Sequence, residues 1–353
     1  MGRRGKAHGN NGSDVFTGLF EKLTRREDLT ADEATAAMGA IMEGRATPGQ
    51  VAALLMGLAM KGERPVEIVG LARAMRERAV PFARDPGEVM DVCGTGGDRA
   101  GTFNISSVAA LVVSAAGVRV AKHGNRSVSS RCGSADVFEA LGVQTTAPPA
   151  MAERSLRDAG IAFLFAPSFH PSMRHAAGVR RELGLRTAFN LLGPLTNPAR
   201  PQRQLVGVPR PELTELLARA LAMLGSERAW VVHGADGLDE ISTAGYTKVS
   251  ECRDGAVNTF YVHPLDVGLP KAARAALVGG DAAENAVMVR DILDAQPGPR
   301  RDVVVLNAGA ALLIAGRAGD LREGIAMAAA ALDDGRAAAT LEAMVRASHA
   351  TAD

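Results

Sequence analysis

The sequence has 353 residues, of which 47% are hydrophobic, so the chain can bury a large core and divide into two domains. Its 40 lysines and arginines are balanced by 39 aspartates and glutamates. The resulting net charge of +1 excludes a general electrostatic attraction to nucleic acid or to an anionic membrane surface. Any anion site must therefore be built locally.

The cysteines and the N-terminus indicate the compartment. Cys93, Cys132 and Cys252 are odd in number and widely separated, so they predict neither a disulfide framework nor a zinc site. No apolar run approaches the ~20 residues that a membrane span needs. Residues 1–13 contain no hydrophobic signal region and are expected to form a disordered tail. These features predict a cytoplasmic protein.

Residues 14–84 show helical patterns only. Thr30 with Glu33 forms a capping box, and Thr47 followed by Pro48 is a typical helix start. The sequence therefore predicts a small helical domain. Leu54, Leu55 and Leu58 define one apolar helix face, which serves either as ordinary core or as a dimer surface.

From Val89 onward, short apolar segments alternate with helical ones. Strands are predicted at 89–93, 118–122, 161–166 and 228–234, with helices near 104–116 and 134–141. This order predicts an α/β domain over residues 85–353, with a mainly parallel central sheet flanked by helices. Residues 247–263 predict an antiparallel hairpin around Asp254-Gly255, and the chain after about residue 280 is mostly helical.

A glycine-rich loop follows the strand that ends at Cys93. In residues 94–98 (GTGGD), three glycines allow backbone N–H groups to converge on an anion without an obstructing Cβ. Neither common nucleotide motif fits, because Arg99 replaces the third glycine of GxGxxG and Thr102 stands where a Walker motif has lysine. Residues 102–107 (TFNISS) then open a helix with polar groups, which reinforces a predicted phosphate site.

A second polar loop, residues 122–130 (KHGNRSVSS), follows the next strand. It combines two fixed cations, a histidine, a glycine and hydroxyl groups at the edge of the sheet where ligands bind in α/β proteins. The alternative is a solvated polar turn. This density of donors favours a diphosphate ligand.

An acidic turn follows the strand at 228–234 and contains Asp236, Asp239 and Glu240. Magnesium is typically held by one or two carboxylates together with substrate phosphates, so Asp239 and Glu240 are expected to hold two hydrated ions on a diphosphate. Taken alone, an acidic turn is more often solvated surface. The cationic loops nearby in the predicted sheet favour the metal site.

A fourth loop contains Pro167 and His170 and leads into a helix that bears Met173 and Arg180. Their separation by seven residues predicts that Met173 and Arg180 share one helix face. A guanidinium beside an apolar side chain and a histidine can hold an aromatic carboxylate. By itself, the segment is more typical of a surface helix.

Taken together, DVCGTGGD, TFNIS, KHGNRSVSS, GSAD, HPSMRH, RRELGLRTAFNLLGPLTNP and DGLDE resemble the anthranilate phosphoribosyltransferases, members of the nucleoside phosphorylase/phosphoribosyltransferase family, over residues 14–345. The resemblance implies transfer of phosphoribose from 5-phosphoribosyl 1-diphosphate to the amino group of anthranilate, in tryptophan biosynthesis. It also implies magnesium, a hinged cleft and a homodimer formed through the helical domain, with helices from about 170–200 packing onto that domain.

The resemblance carries over residue by residue. It implies that the diphosphate and ribose phosphate contact Gly94, Thr95, Gly97, Asp98, Thr102, Asn104, Ser106, Ser107, Lys122 and Ser134. It implies that anthranilate contacts Gly94, Asn125, Pro167, His170, Met173, Arg180 and Gly193. Ser106, Asp239 and Glu240 resemble the metal ligands, while His123, Lys122 and Arg180 are expected to be catalytic.

The departures from the family pattern are small. Ser107 stands where the family commonly has threonine, Arg131 and Cys132 precede the GSAD segment, and Arg99-Ala-Gly fills the link between the first two phosphate motifs. These changes affect affinity rather than the site itself.

Two competing functions remain at this stage. A pyrimidine-nucleoside phosphorylase shares the general plan, but the Asp239-Glu240 pair and the NLLGPLTNP segment favour the transferase. A non-catalytic nucleic-acid-binding relative would show a strongly basic face, and the balanced charge argues against it.

Overall fold

The computed structural model describes residues 13–83, 85–98, 100–127 and 131–350. The expected N-terminal tail, apart from its last residue, lies outside the described residues, as do Arg99 and the last three residues of the second polar loop. The helices are, in chain order, α1 (Ser13–Thr24), α2 (Ala31–Met42), α3 (Pro48–Lys61), α4 (Pro65–Glu77), α5 (Ile105–Ala115), α6 (Ser134–Ala140), α7 (Pro149–Asp158), α8 (Ala166–Phe169), α9 (Arg174–Leu183), α10 (Glu212–Met223), α11 (Ala282–Leu293), α12 (Pro299–Ile314), α13 (Leu321–Asp333) and α14 (Arg336–His349).

The described chain divides into two compact units. The first contains the residues up to Arg78 together with Pro171–Phe189, and the second contains Ala79–His170 together with the chain from Asn190 onward. In the first unit, α9 packs against α2 and α3 although more than 100 residues separate them in sequence. The first unit is therefore assembled from two separate stretches of sequence.

Side-chain caps define where the early helices begin. Thr30 Oγ1 accepts a hydrogen bond from Glu33 N at 3.2 Å, while the Glu33 carboxylate accepts one from Thr30 N at 2.8 Å. Thr47 and Gln50 make the same reciprocal pair at the start of α3, with Pro48 in its first turn. Both predicted helix starts are confirmed.

The second unit is built on a seven-stranded sheet. Its strands are β1 (Met90–Gly94), β2 (Val120–Gly124), β3 (Ile161–Phe165), β4 (Arg203–Gly207), β5 (Arg228–Gly234), β6 (Thr247–Arg253) and β7 (Ala256–Val262). They lie in the order β3-β2-β1-β4-β5-β6-β7, with parallel pairing from β3 to β5 and antiparallel pairing beyond it. The predicted fold class is confirmed.

Strand β4, which lies in the middle of the sheet between β1 and β5, was not predicted from the sequence pattern. Two of its five residues, Arg203 and Gln204, are polar, so it lacks the apolar run that marks the other parallel strands. Gln204 is nevertheless fully buried, and its amide donates to Pro194 O at 2.8 Å. This hydrogen bond allows a polar residue to be buried in the middle of the sheet, so the sequence lacks the apolar run that would indicate a strand.

The antiparallel hairpin β6–β7 is confirmed. Asp254 and Gly255 both have positive φ, at 50° and 80°, as a tight two-residue turn with the hairpin's twist requires. Met173 ends a 3-10 turn (Pro171–Met173) and is the N-cap residue of α9, so the helix predicted to bear Met173 and Arg180 begins one residue later, at Arg174. None of the described helices is long and apolar enough to cross a bilayer.

Helix α12 lies in the core of the second unit and packs closely against α13 through two glycines. A Cβ on Gly324 would come within 2.3 Å of Gly309 O, and one on Gly309 would come within 2.6 Å of Ile325 N. Since both obstacles are backbone atoms, no side-chain movement can relieve the contact. A residue larger than glycine therefore does not fit at either position while the two helices keep this separation.

We expect Gly324→Ala to lower the free energy of unfolding by about 1–3 kcal/mol, because the added methyl group must force α12 and α13 apart. Thermal unfolding followed by circular dichroism measures the change. Gly18→Ala is the control, because a Cβ on this exposed residue of α1 meets no atom within 4 Å and should stabilise the helix slightly. Equal unfolding temperatures for the two variants would contradict the close contact.

Candidate active site

The loops after β1 and β2, the end of β4 and the turn after β5 meet at one edge of the sheet. Thr95 N donates to Gly207 O at 2.9 Å, which joins the first glycine-rich loop to the end of β4. Gly96 N donates to Asp239 Oδ2 at 3.0 Å, which joins the same loop to the acidic turn. Carboxyl ends of parallel strands form the ligand-binding edge of α/β sheets. The predicted phosphate and metal motifs therefore lie together.

Glycine is required in the loop after β1 for two reasons. Gly96 and Gly97 have φ values of 66° and 80°, in the left-handed region that other residues rarely adopt. A Cβ on Gly94 would lie 2.8 Å from Asp239 Oδ2. The loop can approach the acidic turn closely only because these side chains are absent.

Three carboxylates form a cluster at this edge. Asp98, Asp239 and Glu240 each present an oxygen within 4.8 Å of the others. Burial, with the charge of Asp98, raises the pKa of Asp239 to about 7, while burial and the charge of Asp239 raise the pKa of Glu240 well above its usual range. Asp98 Oδ2 and Glu240 Oε2 are buried without a hydrogen-bond partner among the described residues.

This cluster has the properties of a site for a hard cation. Oxygen ligands suit magnesium, and a divalent ion would offset the burial and the mutual repulsion that raise both pKa values. The two unpartnered oxygens supply free acceptor positions. Asp98 was predicted as a diphosphate contact, and the structure adds it to the two predicted carboxylate ligands.

Lys122 lies beside the cluster and is almost completely buried, at 2% exposure. Its Nζ donates to Val92 O at 2.6 Å and to Ser106 Oγ at 3.3 Å. Burial lowers the pKa of Lys122, and the negative charges of Asp91, Glu240 and Asp239 oppose that shift. Through these two hydrogen bonds, the ammonium group of Lys122 links β2 to β1 and to the start of α5.

A buried carboxylate that the sequence analysis did not select, Asp91, lies on β1. It is fully buried, and its two oxygens accept hydrogen bonds from His123 N at 3.3 Å and from Asn197 Nδ2 at 2.9 Å. Asn197 Nδ2 also donates to Ala121 O at 2.8 Å. These bonds fix the segment around Asn197 against β1 and β2.

Two histidines lie next to each other, with ring centroids 5.4 Å apart. His123 Nδ1 donates to Gly193 O at 3.0 Å, and His170 Nε2 donates to Thr196 O at 2.9 Å. Burial lowers the pKa of His123 to about 3, and it also lowers the pKa of His170. His123 Nε2 is buried with no partner among the described residues, so this nitrogen is left as a free acceptor.

The second polar loop is tied to the start of α6. Ser134 Oγ donates to Asn125 O at 3.3 Å, and a Cβ on Gly133 would come within 2.3 Å of Ser127 N. Arg126 forms ion pairs with Asp136 and Glu139, with its two terminal nitrogens on the two Glu139 oxygens. Of the two cations in this loop, Lys122 alone therefore lies with the carboxylate cluster.

The opening of α5 brings further predicted residues to the same edge. Asn104 donates to Cys132 O at 3.3 Å and accepts from Asn285 Nδ2 at 3.0 Å, so it is held on both sides. Ser107 Oγ and Thr95 Oγ1 are buried without a hydrogen-bond partner among the described residues. Thr102 forms an isolated antiparallel bridge with Val278.

Arg180 belongs to the first unit, together with Met173, whereas Asn125, Pro167, His170 and Gly193 belong to the second. Its guanidinium lies over the ring of Phe189, 5.1 Å from the centroid. Burial lowers the pKa of Arg180, and no carboxylate pairs with it among the described residues. An uncompensated, partly buried cation beside an aromatic ring suits a planar anionic ligand.

The acidic turn is fixed by residues that no sequence motif marked. A Cβ on Gly207 would come within 1.4 Å of Asp239 O, so β4 must end in glycine for the turn to lie where it does. Asn307 of α12 bonds both backbone groups of Ile241, the residue after Glu240. Glycines and asparagines are common, and only their distant neighbours reveal these contacts.

Comparison with known proteins identifies the family. The a/b domain model of the glycosyl transferase family matches residues 86–338, and the helical bundle domain model of that family matches residues 17–79. Anthranilate phosphoribosyltransferases of Moorella thermoacetica and Symbiobacterium thermophilum are 55% and 54% identical to this chain. The matches cover 92% and 94% of this chain and 96% and 97% of those proteins.

Solved structures agree with these matches. Anthranilate phosphoribosyltransferase from Thermus thermophilus superposes with a TM-score of 0.88 at 45% identity, over 94% of this chain and 99% of that one. The Saccharomyces cerevisiae enzyme in complex with PRPP and Mg superposes with a TM-score of 0.86 at 26% identity, over 95% and 98% of the two chains. The chain therefore belongs to the anthranilate phosphoribosyltransferases of the glycosyl transferase family.

Proposed function

We propose that this chain transfers the phosphoribosyl group from 5-phosphoribosyl 1-diphosphate to the amino group of anthranilate, giving N-(5-phosphoribosyl)anthranilate and diphosphate. This is the family's step in tryptophan biosynthesis. The observation that carries the proposal is the convergence of a glycine-rich loop, the buried Lys122 and the carboxylates Asp98, Asp239 and Glu240 at one sheet edge.

The donor contacts follow from the groups available at this edge. We infer that the backbone amides of Gly94 and Gly97 contact the diphosphate, since these glycines carry no obstructing side chain. Thr95 contacts it through its side chain, because its N–H already donates to Gly207 O. The free hydroxyls Thr95 Oγ1 and Ser107 Oγ are further donors. The remaining proposed contacts to the diphosphate and the ribose phosphate are Asp98, Thr102, Asn104, Ser106, Lys122 and Ser134.

Magnesium, when bound, neutralises the diphosphate and makes it a better leaving group. Ser106, Asp239 and Glu240 are the residues proposed to hold it, Asp98 would add a third carboxylate, and two ions are the proposed number. Lys122 adds a fixed positive charge that needs no reorganisation during the reaction, because its Nζ is already held by Val92 O and Ser106 Oγ. The residues thus stabilise the charge that develops as the C1–O bond breaks.

The acceptor contacts are proposed for Gly94, Asn125, Pro167, His170, Met173, Arg180 and Gly193. Arg180 takes the anthranilate carboxylate, since its cation is partly buried and has no carboxylate partner among the described residues. The aryl amine is neutral near pH 7 and needs no strong base before it attacks C1. Positioning of amine and sugar is therefore the main contribution of these residues.

His123 is the proposed acceptor of an amine hydrogen bond. Its Nδ1–H is committed to Gly193 O, which leaves the basic Nε2 free and unprotonated. The low pKa that burial imposes on His123 makes it a weak base. It therefore orients the amine, and the departing diphosphate is the stronger acceptor for the proton.

The assembly and location are also proposals. We propose a homodimer through the helical domain of residues 14–84, with residues 85–353 as the domain that binds the activated sugar. A cytoplasmic location agrees with the buried residues Cys93, Cys132 and Cys252, none of which forms a disulfide bond within the described chain.

One assay tests the activity directly. Anthranilate fluorescence should fall when the protein, 5-phosphoribosyl 1-diphosphate and magnesium are all present, and it should persist when any one is omitted. A parallel reaction with a pyrimidine nucleoside and inorganic phosphate tests the phosphorylase alternative. Release of free base there, with no loss of anthranilate in the first assay, would replace the proposed function.

Removing the Arg180 guanidinium should weaken anthranilate binding. We expect Arg180→Ala to raise KM for anthranilate by about 10–100-fold through loss of a charge-assisted hydrogen bond, with little effect on KM for the sugar. Arg181→Ala is the matched control, because Arg181 is an exposed neighbour on the same helix. Steady-state kinetics with each substrate varied in turn give both constants, and identical values for the two variants would exclude the assigned role.

Neutralising the metal-binding turn should affect the other substrate. We expect Asp239→Asn combined with Glu240→Gln to raise the magnesium concentration for half-maximal rate by at least about 10–100-fold, since outer-shell changes alone have effects of that size. Asp266→Asn removes an exposed carboxylate as the control. Magnesium titrations of the rate measure the shift, and an unchanged midpoint would show that the ions bind elsewhere.

His123 should remain neutral across the working pH range. With a pKa of about 3, it is deprotonated at every pH well above that value, so its ring nitrogens should not titrate between about pH 5 and 8. Two-dimensional ¹⁵N–¹H spectra of the histidine rings, assigned with His123→Asn, should also show the proton on Nδ1. A titration midpoint near 6.5 for His123 would contradict the buried, neutral state.

A further inference from the structure

Asn307 lies on α12, about 65 residues after the acidic turn in sequence, and is 1% exposed. Its Oδ1 accepts from Ile241 N at 3.0 Å, and its Nδ2 donates to Ile241 O at 2.9 Å and to Val303 O at 2.8 Å. Both amide hydrogens and the amide oxygen are therefore used. Asn307 has no donor left for a substrate, so it does not act as a catalytic residue.

The pair of bonds to Ile241 resembles one rung of a β-ladder, with a side chain in place of the partner strand. Ile241 is fully buried, so its backbone groups cannot turn to water if the amide is lost. Ile241 directly follows Glu240, and Asn307 lines a small cavity together with Ser106, Asp239 and Glu240. The position of both proposed carboxylate ligands thus depends on a bond from a helix in the core.

Two further contacts hold the acidic turn of Asp239 and Glu240 in place. Asp239 O lies where a Cβ of Gly207 would be, and Asp239 Oδ2 accepts from Gly96 N. These contacts hold Asp239 from the side of the sheet and the first loop, and Asn307 holds Ile241 from the side of α12. Glu240 lies between two fixed residues, so its carboxylate can stay close to Asp239 despite their repulsion.

We propose that Asn307 is a positioning residue for the magnesium site, which it controls through the backbone of Ile241. The proposal rests on the function proposed above, because it requires Asp239 and Glu240 to hold the metal. Groups that orient metal ligands affect affinity by about 10–100-fold when they are changed. A residue that served only the core would change stability without a selective effect on the metal.

The test uses Asn307→Leu, which keeps the branched skeleton of the side chain and removes all three hydrogen bonds. Binding of magnesium with 5-phosphoribosyl 1-diphosphate is measured by calorimetry without anthranilate, so that no turnover occurs. We expect the affinity to fall by about 10–100-fold. The affinity for anthranilate in rate measurements should change by less than about twofold.

A stability control separates positioning from loosening of the core. Leu312→Ala removes a fully buried side chain on the same helix and should lower the unfolding temperature. We expect this variant to bind the magnesium complex of the sugar like the parent. If Asn307→Leu also binds it like the parent, or if Leu312→Ala loses the same affinity, the proposal is wrong.

A double-variant comparison separates this proposal from the proposed function. When Asp239→Asn and Glu240→Gln are already present, Asn307→Leu should cause no further loss of metal-dependent binding, because the three residues act as one unit. A further loss of the full size would overturn the positioning role. If the Asp239→Asn, Glu240→Gln protein itself binds the magnesium complex normally, the assignment of the metal site has failed instead.

Discussion

The repulsion among three neighbouring carboxylates is the constraint on which this site depends. Asp98, Asp239 and Glu240 lie close together, and burial together with the neighbouring negative charges raises the pKa values of Asp239 and Glu240. Lys122 offsets part of the repulsion. A bound divalent cation would offset more of it, so metal and diphosphate binding would be parts of one electrostatic balance.

The order of the strands and the small residues at their ends bring these charges together. The direction of strand order reverses between β1 and β4, so the loop after β1 and the turn after β5 meet over the end of β4. At that point Gly94 and Gly207 carry no side chain that would separate the carboxylate turn from the strands. Small residues at the sheet edge are therefore as necessary to the site as the charged ones.

The sequence predicted the motifs well because their chemistry is local. The glycine-rich loop, the lysine of β2 and the carboxylates after β5 are each recognisable within a few residues, and the alternation of strands and helices placed them at one edge. β4 was missed because Gln204 replaces an apolar core residue, and its burial depends on Pro194 O. Met173 was assigned to a regular helix because periodicity does not reveal where a 3-10 turn gives way to an α-helix.

The contacts that orient the site could not be predicted, because they join residues far apart in sequence. Asp91 and Asn197 are separated by 106 residues, and Asn307 and Ile241 by 66. In each pair, the buried side-chain amide of an asparagine forms hydrogen bonds with backbone or carboxylate groups that have no access to water. The need for asparagine at that position therefore comes from a distant partner and not from the neighbouring sequence. Asp91 and Asn197 fix the segment whose carbonyls determine which nitrogen of His123 and His170 carries the proton.

The two proposed substrates therefore require different kinds of protein surface. The diphosphate requires backbone amides, a buried lysine and carboxylates fixed on the parallel sheet, where several charges must be balanced at once. Anthranilate carries one charge and an aromatic ring, and a single arginine over Phe189 is the proposed partner of that charge. Burial lowers the pKa values of His123 and His170, so neither imidazole brings a positive charge to the contacts proposed for anthranilate. In the proposed reaction one cation thus sets the orientation of anthranilate, which directs the amine rather than the carboxylate toward the sugar.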